Sequence, residues 1–243
     1  MFGRKKKKED DSGAPCAKAQ GARRRPGRPA ASEKGGVSRQ SILQKALTLS
    51  KTVALQDLSI VAVARSIDVT PALIHYYIGG RDWLTSGIMN LFYEGLLQRL
   101  PDSGGDWKED VWNSAKAFFD HLLTYSGVAA YLVTNERFRV FQLTDFDDPD
   151  YGVEVLNRFV GQVRSAGLSG ARTGLYTLLI NEFVISTAHR ATHKLLPADH
   201  RQFHEGKLAS LDPVRMDNLL FGKVAPLELN AERLFKEGMA VFL

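Results

Sequence analysis

Apolar residues return at helical spacing along most of residues 38 to 242, and the pattern is densest between Ser38 and Leu84. In the first stretch Ile42, Leu43, Ala46, Leu47 and Leu49 share one face behind Ser38, a residue suited to cap a helix N-terminus. A second short helix is expected behind Ser59, with Val63, Ala64 and Ile67 pointing the same way. Only Asp68 and Val69 separate it from a third, and Asp tolerates the left-handed backbone that so tight a turn needs. Thr70 caps that third helix and Pro71 suits its first position, where the missing N–H has no intrahelical partner anyway. Leu73, Ile74 and Tyr77 are expected to face inward, leaving Pro71, Ala72, His75 and Tyr76 outside.

The remainder predicts more helices and no strands. A fourth is expected from about Gly80 to Leu100, with Leu84, Ile88, Leu91, Phe92 and Leu96 inward, broken by Pro101 to Gly105. Further helices are expected over 106–125, 127–141, 149–164, 170–195 and 227–242. The predicted fold class is therefore all-α. A chain of 243 residues with 44% apolar content can hold a small domain and a larger one. We expect an arm at 1–36, a helix-turn-helix domain at 37–83 and a larger helical domain at 84–243.

Two short helices joined by two residues have the spacing of a helix-turn-helix DNA reader, in which the second helix enters the major groove. The outward face of the third helix suits that task, offering small apolar surface for thymine methyls and hydrogen-bonding groups for base edges and phosphates. The same short capped helices also occur in many helical domains that never meet DNA.

Residues 38 to 84 resemble the DNA-binding domain of TetR-family transcriptional regulators. The resemblance is carried by Val63-Ala64, Asp68-Val69, Ile74-His75-Tyr76-Tyr77-Ile78, Arg81 and Leu84. Two departures stand out: Asp68 where the family has Gly, and His75 where it has Tyr. The resemblance implies an N-terminal DNA-binding domain, a larger ligand-binding and dimerisation domain, and phosphate contacts from Tyr77 and Arg81. It also implies a homodimer through the last two helices. A dimer makes physical sense, because two recognition helices related by a twofold axis span half-sites about 34–36 Å apart on one face of the duplex. The DNA-contacting set expected on this basis is Ser59, Thr70, Pro71, Ala72, His75, Tyr76, Tyr77 and Arg81, with Arg25 and Arg28 of the arm.

Charge strengthens the DNA reading. Residues 1–36 carry eleven basic residues against four acidic ones, a net +7, while the whole chain is +5, leaving −2 for residues 37–243. Poor in large apolar residues and rich in Gly, Pro and Ala, the arm is expected to be disordered in the free protein. No apolar run follows its lysines, so it is not a secretory signal. Arg24-Arg25-Pro26-Gly27-Arg28-Pro29 is similar to the core of an AT-hook, whose Arg side chains enter a narrow A·T minor groove. The order Pro-Gly-Arg-Pro differs from the hook's Arg-Gly-Arg-Pro. A solvated tail, or a nonspecific architectural DNA binder without an effector, would show the same charge.

In the family that the chain resembles, the larger domain encloses a small-molecule cavity between its fourth and eighth helices. Candidate ligand-binding residues are Trp112, Ser114, Phe118, His121, Tyr131, Asn135, Phe138 and Asn181, with Phe119, Phe141, Phe183, Asn113 and Glu182 as further wall material. Taken singly, an aromatic at helical spacing is more often ordinary core. The acidic run Asp145 to Asp150 lacks the Gly and Glu of a calcium loop and reads as a loop and negative helix start. His189, His193, His200 and His204 form two HxxxH pairs that could hold zinc, nickel or copper, although the spacing often arises without a metal. An enzyme using His121 with Glu136, Asn181 or Glu182 would need a pairing in space that spacing does not supply. With a single cysteine, Cys16, no apolar run long enough for a membrane span and no cofactor motif, the expectation is a cytoplasmic protein without metal or cofactor. The expected function is a ligand-responsive repressor that binds a palindromic DNA operator as a homodimer and is released by a small-molecule effector.

Overall fold

The computed structural model describes residues 37–102, 104–135, 137, 139–145, 148–222 and 227–243. Residues 1–36, and with them the AT-hook-like Arg25 and Arg28, lie outside the described residues, as do Glu136 and Phe138. Among the described residues every regular element is a helix. Val37–Leu243 forms one compact unit.

The first three helices form where the capping residues predict. Helix α1 (Arg39–Leu49) starts at Ser38, whose hydroxyl accepts from the Ser41 amide at 3.1 Å. Helix α2 (Ile60–Ser66) starts at Ser59, which accepts from Ala62 at 3.0 Å, and α3 (Pro71–Ile78) at Thr70, which accepts from Leu73 at 3.4 Å. The turn between α2 and α3 places Asp68 at φ 55, the left-handed conformation its short polar side chain tolerates. Ile42, Ala46, Val63, Ala64 and Ile74 close a small core between the three helices. Each fully buried Ile or Val contributes roughly 1.5–3 kcal/mol relative to exposure. One inward expectation is corrected. Tyr77 reaches the surface at 36% exposure, and Ile78, one residue on, takes the buried place.

Helix α4 (Arg81–Leu97) runs from this unit into the body, burying Leu84, Ile88, Phe92 and Leu96. Gly87 allows its close packing on α1, since a Cβ there would stand 2.7 Å from a Leu43 methyl. Helix α5 (Trp107–Thr124) is capped by Asp106, and α6 (Ser126–Thr134) follows after one residue. The expected helix over 127–141 is therefore too long: Asn135 turns extended, and the described residues 139–145 and 148–150 form an irregular strap against α4. Its extended course is held by side chains of other elements. The Ser86 hydroxyl bonds the Leu143 amide, and Asn90 bonds the Pro149 carbonyl at 3.0 Å and the Tyr151 amide at 2.9 Å.

Asp150 closes the strap by capping α7 (Tyr151–Arg164), accepting from Val153 at 3.2 Å and from Gln142 at 2.8 Å. The long α8 (Gly170–Thr192) ends three residues before the expected Leu195, where His193 leaves helical geometry and Lys194 turns to φ 53. Two short helices follow, α9 (Arg201–Ala209) and α10 (Asp217–Gly222). The last, α11 (Ala231–Phe242), starts at the Asn230 cap, later than the expected Leu227. Helix α8 is the centre of the body, packing on α5, α6, α7 and α11. No helix among the described residues is long and apolar enough to cross a membrane.

Candidate nucleic-acid interface and ligand cavity

Helix α3 is held from below by Ile74 and Ile78, with Leu73 half-buried, and its remaining residues face outward. Pro71, Ala72, His75 and Tyr76 are all exposed, Tyr76 at 79%. Its ring meets that of Tyr77 edge-on at 5.2 Å, so the two phenols form one projecting aromatic group with hydroxyls. His75 Nδ1 donates to the Gly79 carbonyl at 2.6 Å, which fixes the ring and turns Nε2 away from its own helix. The Ser59 and Thr70 oxygens accept from backbone amides, which leaves each hydroxyl hydrogen to donate to another group, such as a phosphate. Arg81 is exposed and its guanidinium is steadied by the Gln56 carbonyl, so the cation stands beside the open face of α3 with donors to spare.

The unit is docked on the body at three points. Leu43 lies against Gly87; Arg39 pairs with Asp145 at 3.9 Å and Asp148 at 3.6 Å; and the start of α6 abuts the end of α1. There the Gly127 amide donates to Ser50 and the Ser126 hydroxyl to the Lys51 carbonyl, both at 2.8 Å. The acidic run that read as a loop and helix start thus has a second role, with Asp145 and Asp148 bonded to the first helix.

The body carries a partly open cavity of about 460 Å³, within the range of small-molecule sites. Its walls come from α4 (Tyr93, Leu96), α5 (Ser114, Phe118), the strap (Arg139, Val140, Phe141), α7 (Val155, Leu156, Phe159) and α8 (Thr177, Asn181, Glu182, Ile185). The wall is mainly apolar. Its charged groups, Arg139 and Glu182, bond one another. Tyr93 donates to the Arg139 carbonyl, and burial raises its phenol above the ordinary range, so it stays neutral and anchors the strap to α4.

The sequence candidates separate on this geometry. Ser114, Phe118 and Asn181 line the cavity, as do Phe141 and Glu182. Trp112 instead packs edge-on against Phe235 of α11 at 6.2 Å. Tyr131 donates to the Arg137 carbonyl, and Asn135 folds back on Thr134 at 2.8 Å and the Tyr131 carbonyl at 3.3 Å. His121 is buried between the rings of Phe92 and Tyr125, with Nε2 donating to the Phe92 carbonyl at 2.9 Å. Burial lowers its pKa to about 4, which makes it a neutral core residue. Arg139, Tyr93 and Thr177 were not anticipated. Arg139 was placed inside a helix, and no spacing rule joins it to a glutamate 43 residues on.

The His189 and His193 rings lie 4.3 Å apart and tilted to one another, but no group of three metal-ligating side chains assembles among the described residues.

No protein-family model matches the chain, and no curated protein matches it. Solved structures do. Apo ActR from Streptomyces coelicolor is 21% identical over 85% of this chain and 92% of its own, with a TM-score of 0.68. The TetR family protein ActR in complex with actinorhodin, from the same organism, is 20% identical over 85% and 95%, with a TM-score of 0.69. BioQ with its double-stranded DNA operator is 18% identical over 70% and 93%, with a TM-score of 0.51. These likenesses establish the fold: the chain is built as TetR-family regulators are, with an N-terminal helix-turn-helix unit and a larger helical body.

Proposed function

We propose that this chain, with its TetR-type fold, is a ligand-responsive transcriptional repressor that binds a palindromic DNA operator as a homodimer. The observation that carries the reading is the exposed face of α3, where Pro71, Ala72, His75 and Tyr76 project together beside the hydroxyls of Ser59 and Thr70 and the cation of Arg81. Pro71, Ala72 and Tyr76 contact base edges; the hydroxyls, Tyr77 and Arg81 hold phosphates. Arg25 and Arg28 of the basic arm enter the adjacent minor groove.

Dimerisation through α8 and α11 is supported by an apolar stripe, Leu175, Leu178 and Leu179, that α8 leaves exposed, with Val241 exposed on α11. The effector occupies the cavity. Its binding shifts α4, which contributes Tyr93 and Leu96 to the wall and carries Arg81 at its other end, and so changes the spacing of the two recognition helices. Operator affinity falls. No catalytic role is assigned: His121 is committed to the Phe92 carbonyl and Glu182 to Arg139.

A second reading, a nonspecific architectural binder, is favoured by the arm's net +7 charge. Fluorescence anisotropy with duplexes flanking the reading frame, at near-physiological salt, separates the two. The repressor reading requires at least one duplex bound about 10³-fold or more tighter than its scrambled sequence. Equal affinity for both would overturn it.

A further inference from the structure

His75 and Gly79 close on each other at the end of α3. The Gly79 amide donates to the His75 carbonyl at 2.9 Å, and His75 Nδ1 lies 2.6 Å from the Gly79 carbonyl oxygen. Gly79 stands at φ 94, a turn that favours glycine and brings its carbonyl back toward the ring. A carbonyl oxygen only accepts, so the hydrogen of this second bond sits on Nδ1. A neutral imidazole has one N–H, which leaves Nε2 as a bare acceptor. The side chain is exposed, and Nε2 forms no hydrogen bond among the described residues.

An acceptor at this place selects its partner on DNA. Phosphate oxygens are themselves acceptors, so a neutral Nε2 gains no hydrogen bond from the backbone. In the major groove the base edges offer only two donors, the N6 amino group of adenine and the N4 amino group of cytosine. Guanine presents N7 and O6 there, and thymine O4 and a methyl group, none of which donates to Nε2. His75 stands four residues after Pro71 and three after Ala72, and so shares their face of α3. The neighbouring polar groups are of the opposite kind: the hydroxyls of Ser59 and Thr70 and the guanidinium of Arg81 have hydrogens to give to phosphates.

We propose that His75 is a specificity-determining residue whose Nε2 accepts a hydrogen bond from the exocyclic amino group of an adenine or a cytosine in the major groove. This inference rests on the helix-turn-helix reading proposed above, and it gives His75 a different task from Tyr77 and Arg81. The bond to Gly79 orients the ring before DNA arrives, so little side-chain freedom is lost on binding.

Parallel selection from one random DNA pool with the full-chain parent and His75→Asn, at pH 8 to keep imidazoles neutral, begins the test. Asparagine sets its amide nitrogen where Nδ1 stood, keeping a donor for the Gly79 carbonyl, and has no atom at the place of Nε2. The parent is expected to recover a motif in which one base pair of each half-site becomes open to all four bases in the variant. Anisotropy with modified copies of the parent's duplex then identifies the atom that is read. Replacing the amino group of that pair by hydrogen, with purine for adenine or 2-pyrimidinone for cytosine, is expected to weaken parent binding about fivefold, the yield of one hydrogen bond. The same replacement should change the variant's affinity by less than about twofold, and a 7-deazapurine at the same pair should leave the parent's affinity unchanged. The parent arms stand even if the variant fails to fold. Identical motifs from the two proteins, a uniform loss at every position, an amino replacement that costs both proteins alike or the parent nothing, or sensitivity to the 7-deazapurine instead would overturn the inference and leave the repressor reading in place. Recovery of no motif by the parent would remove both.

Discussion

The backbone amide of Gly127, at the start of α6, donates to the carbonyl of Ser50, just past the end of α1, at 2.8 Å. A Cβ on Gly127 would stand 1.8 Å from the Val53 carbonyl oxygen, so only glycine permits this approach. The helix-turn-helix unit therefore rests on the body through backbone atoms that cannot move aside. Gly127→Ala is expected to destabilise the protein by about 3 kcal/mol, the upper range for overpacking, as read by urea denaturation. Gly87→Ala, whose Cβ would meet only the tip of the Leu43 side chain, is expected to cost about 1 kcal/mol. Equal losses at the two glycines would contradict this account of the docking.

Arg81 and Tyr76 are assigned different tasks on DNA and should fail differently. Arg81→Ala is expected to weaken binding to every duplex by a similar factor and to lower the salt slope by about one phosphate contact. Tyr76→Ala is expected to cost about 1–3 kcal/mol at one position of the site and little elsewhere, measured by anisotropy on single-base variants of the bound sequence. A uniform loss from Tyr76→Ala would move that residue to the backbone-contacting group.

The buried His121 gives stability a pH dependence whose sign follows from its lowered pKa. Above pH 6.5 the ring is neutral in both folded and unfolded chains, and no penalty arises. Between pH 6.5 and about 4 the unfolded chain takes up a proton that the folded protein refuses, so stability falls as pH falls through that window. The slope from this residue reaches at most about 1.4 kcal/mol per pH unit. His121→Gln keeps an N–H donor for the Phe92 carbonyl and removes the titration. Its urea-denaturation free energy should therefore fall less than that of the parent between pH 7 and pH 5. Parallel curves for the two proteins would show that His121 charges in the folded state.

Leu175 and Leu179 test the dimer without touching the cavity wall. Placing Glu at both positions sets two charges in the apolar stripe of α8. Sedimentation should then give a species of about 27 kDa with unchanged helical circular dichroism, where the parent gives twice that mass. A parent that sediments as the monomer would remove α8 as the dimer surface.

The elements that were legible in the sequence are those whose signals are local. Ser38, Ser59 and Thr70 cap the helices they were expected to cap, and Asp68 takes the left-handed turn. These effects act within four residues and need no tertiary information. Tyr77 and Ile78 show the limit: both fit an inward helical position, and the choice between them was made by packing on α1 and α2, not by periodicity. The start of the strap, residues 139–141, was read as helix for the same reason, while the loop character of the acidic run was legible. The strap's apolar residues Val140, Phe141 and Leu143 mimic a helix face, and its true course is fixed by Ser86, Asn90 and Tyr93 on a helix some fifty residues away. The cavity was legible only in part. Ser114, Phe118 and Asn181 sit on the predicted helices α5 and α8, whereas Arg139 reaches the wall through the strap. Trp112, a strong apolar signal, went to the α11 side of its helix because Phe235 offers it a partner there.

The most direct test of the central claim is selection of bound duplexes from a random DNA pool with the purified full chain at near-physiological salt. A palindrome is expected whose half-site centres are one helical turn, or a multiple of it, apart, as two α3 helices on a twofold axis require. Recovery of no motif, or of A·T-rich DNA without twofold symmetry, would contradict it and leave the basic arm as the source of DNA binding.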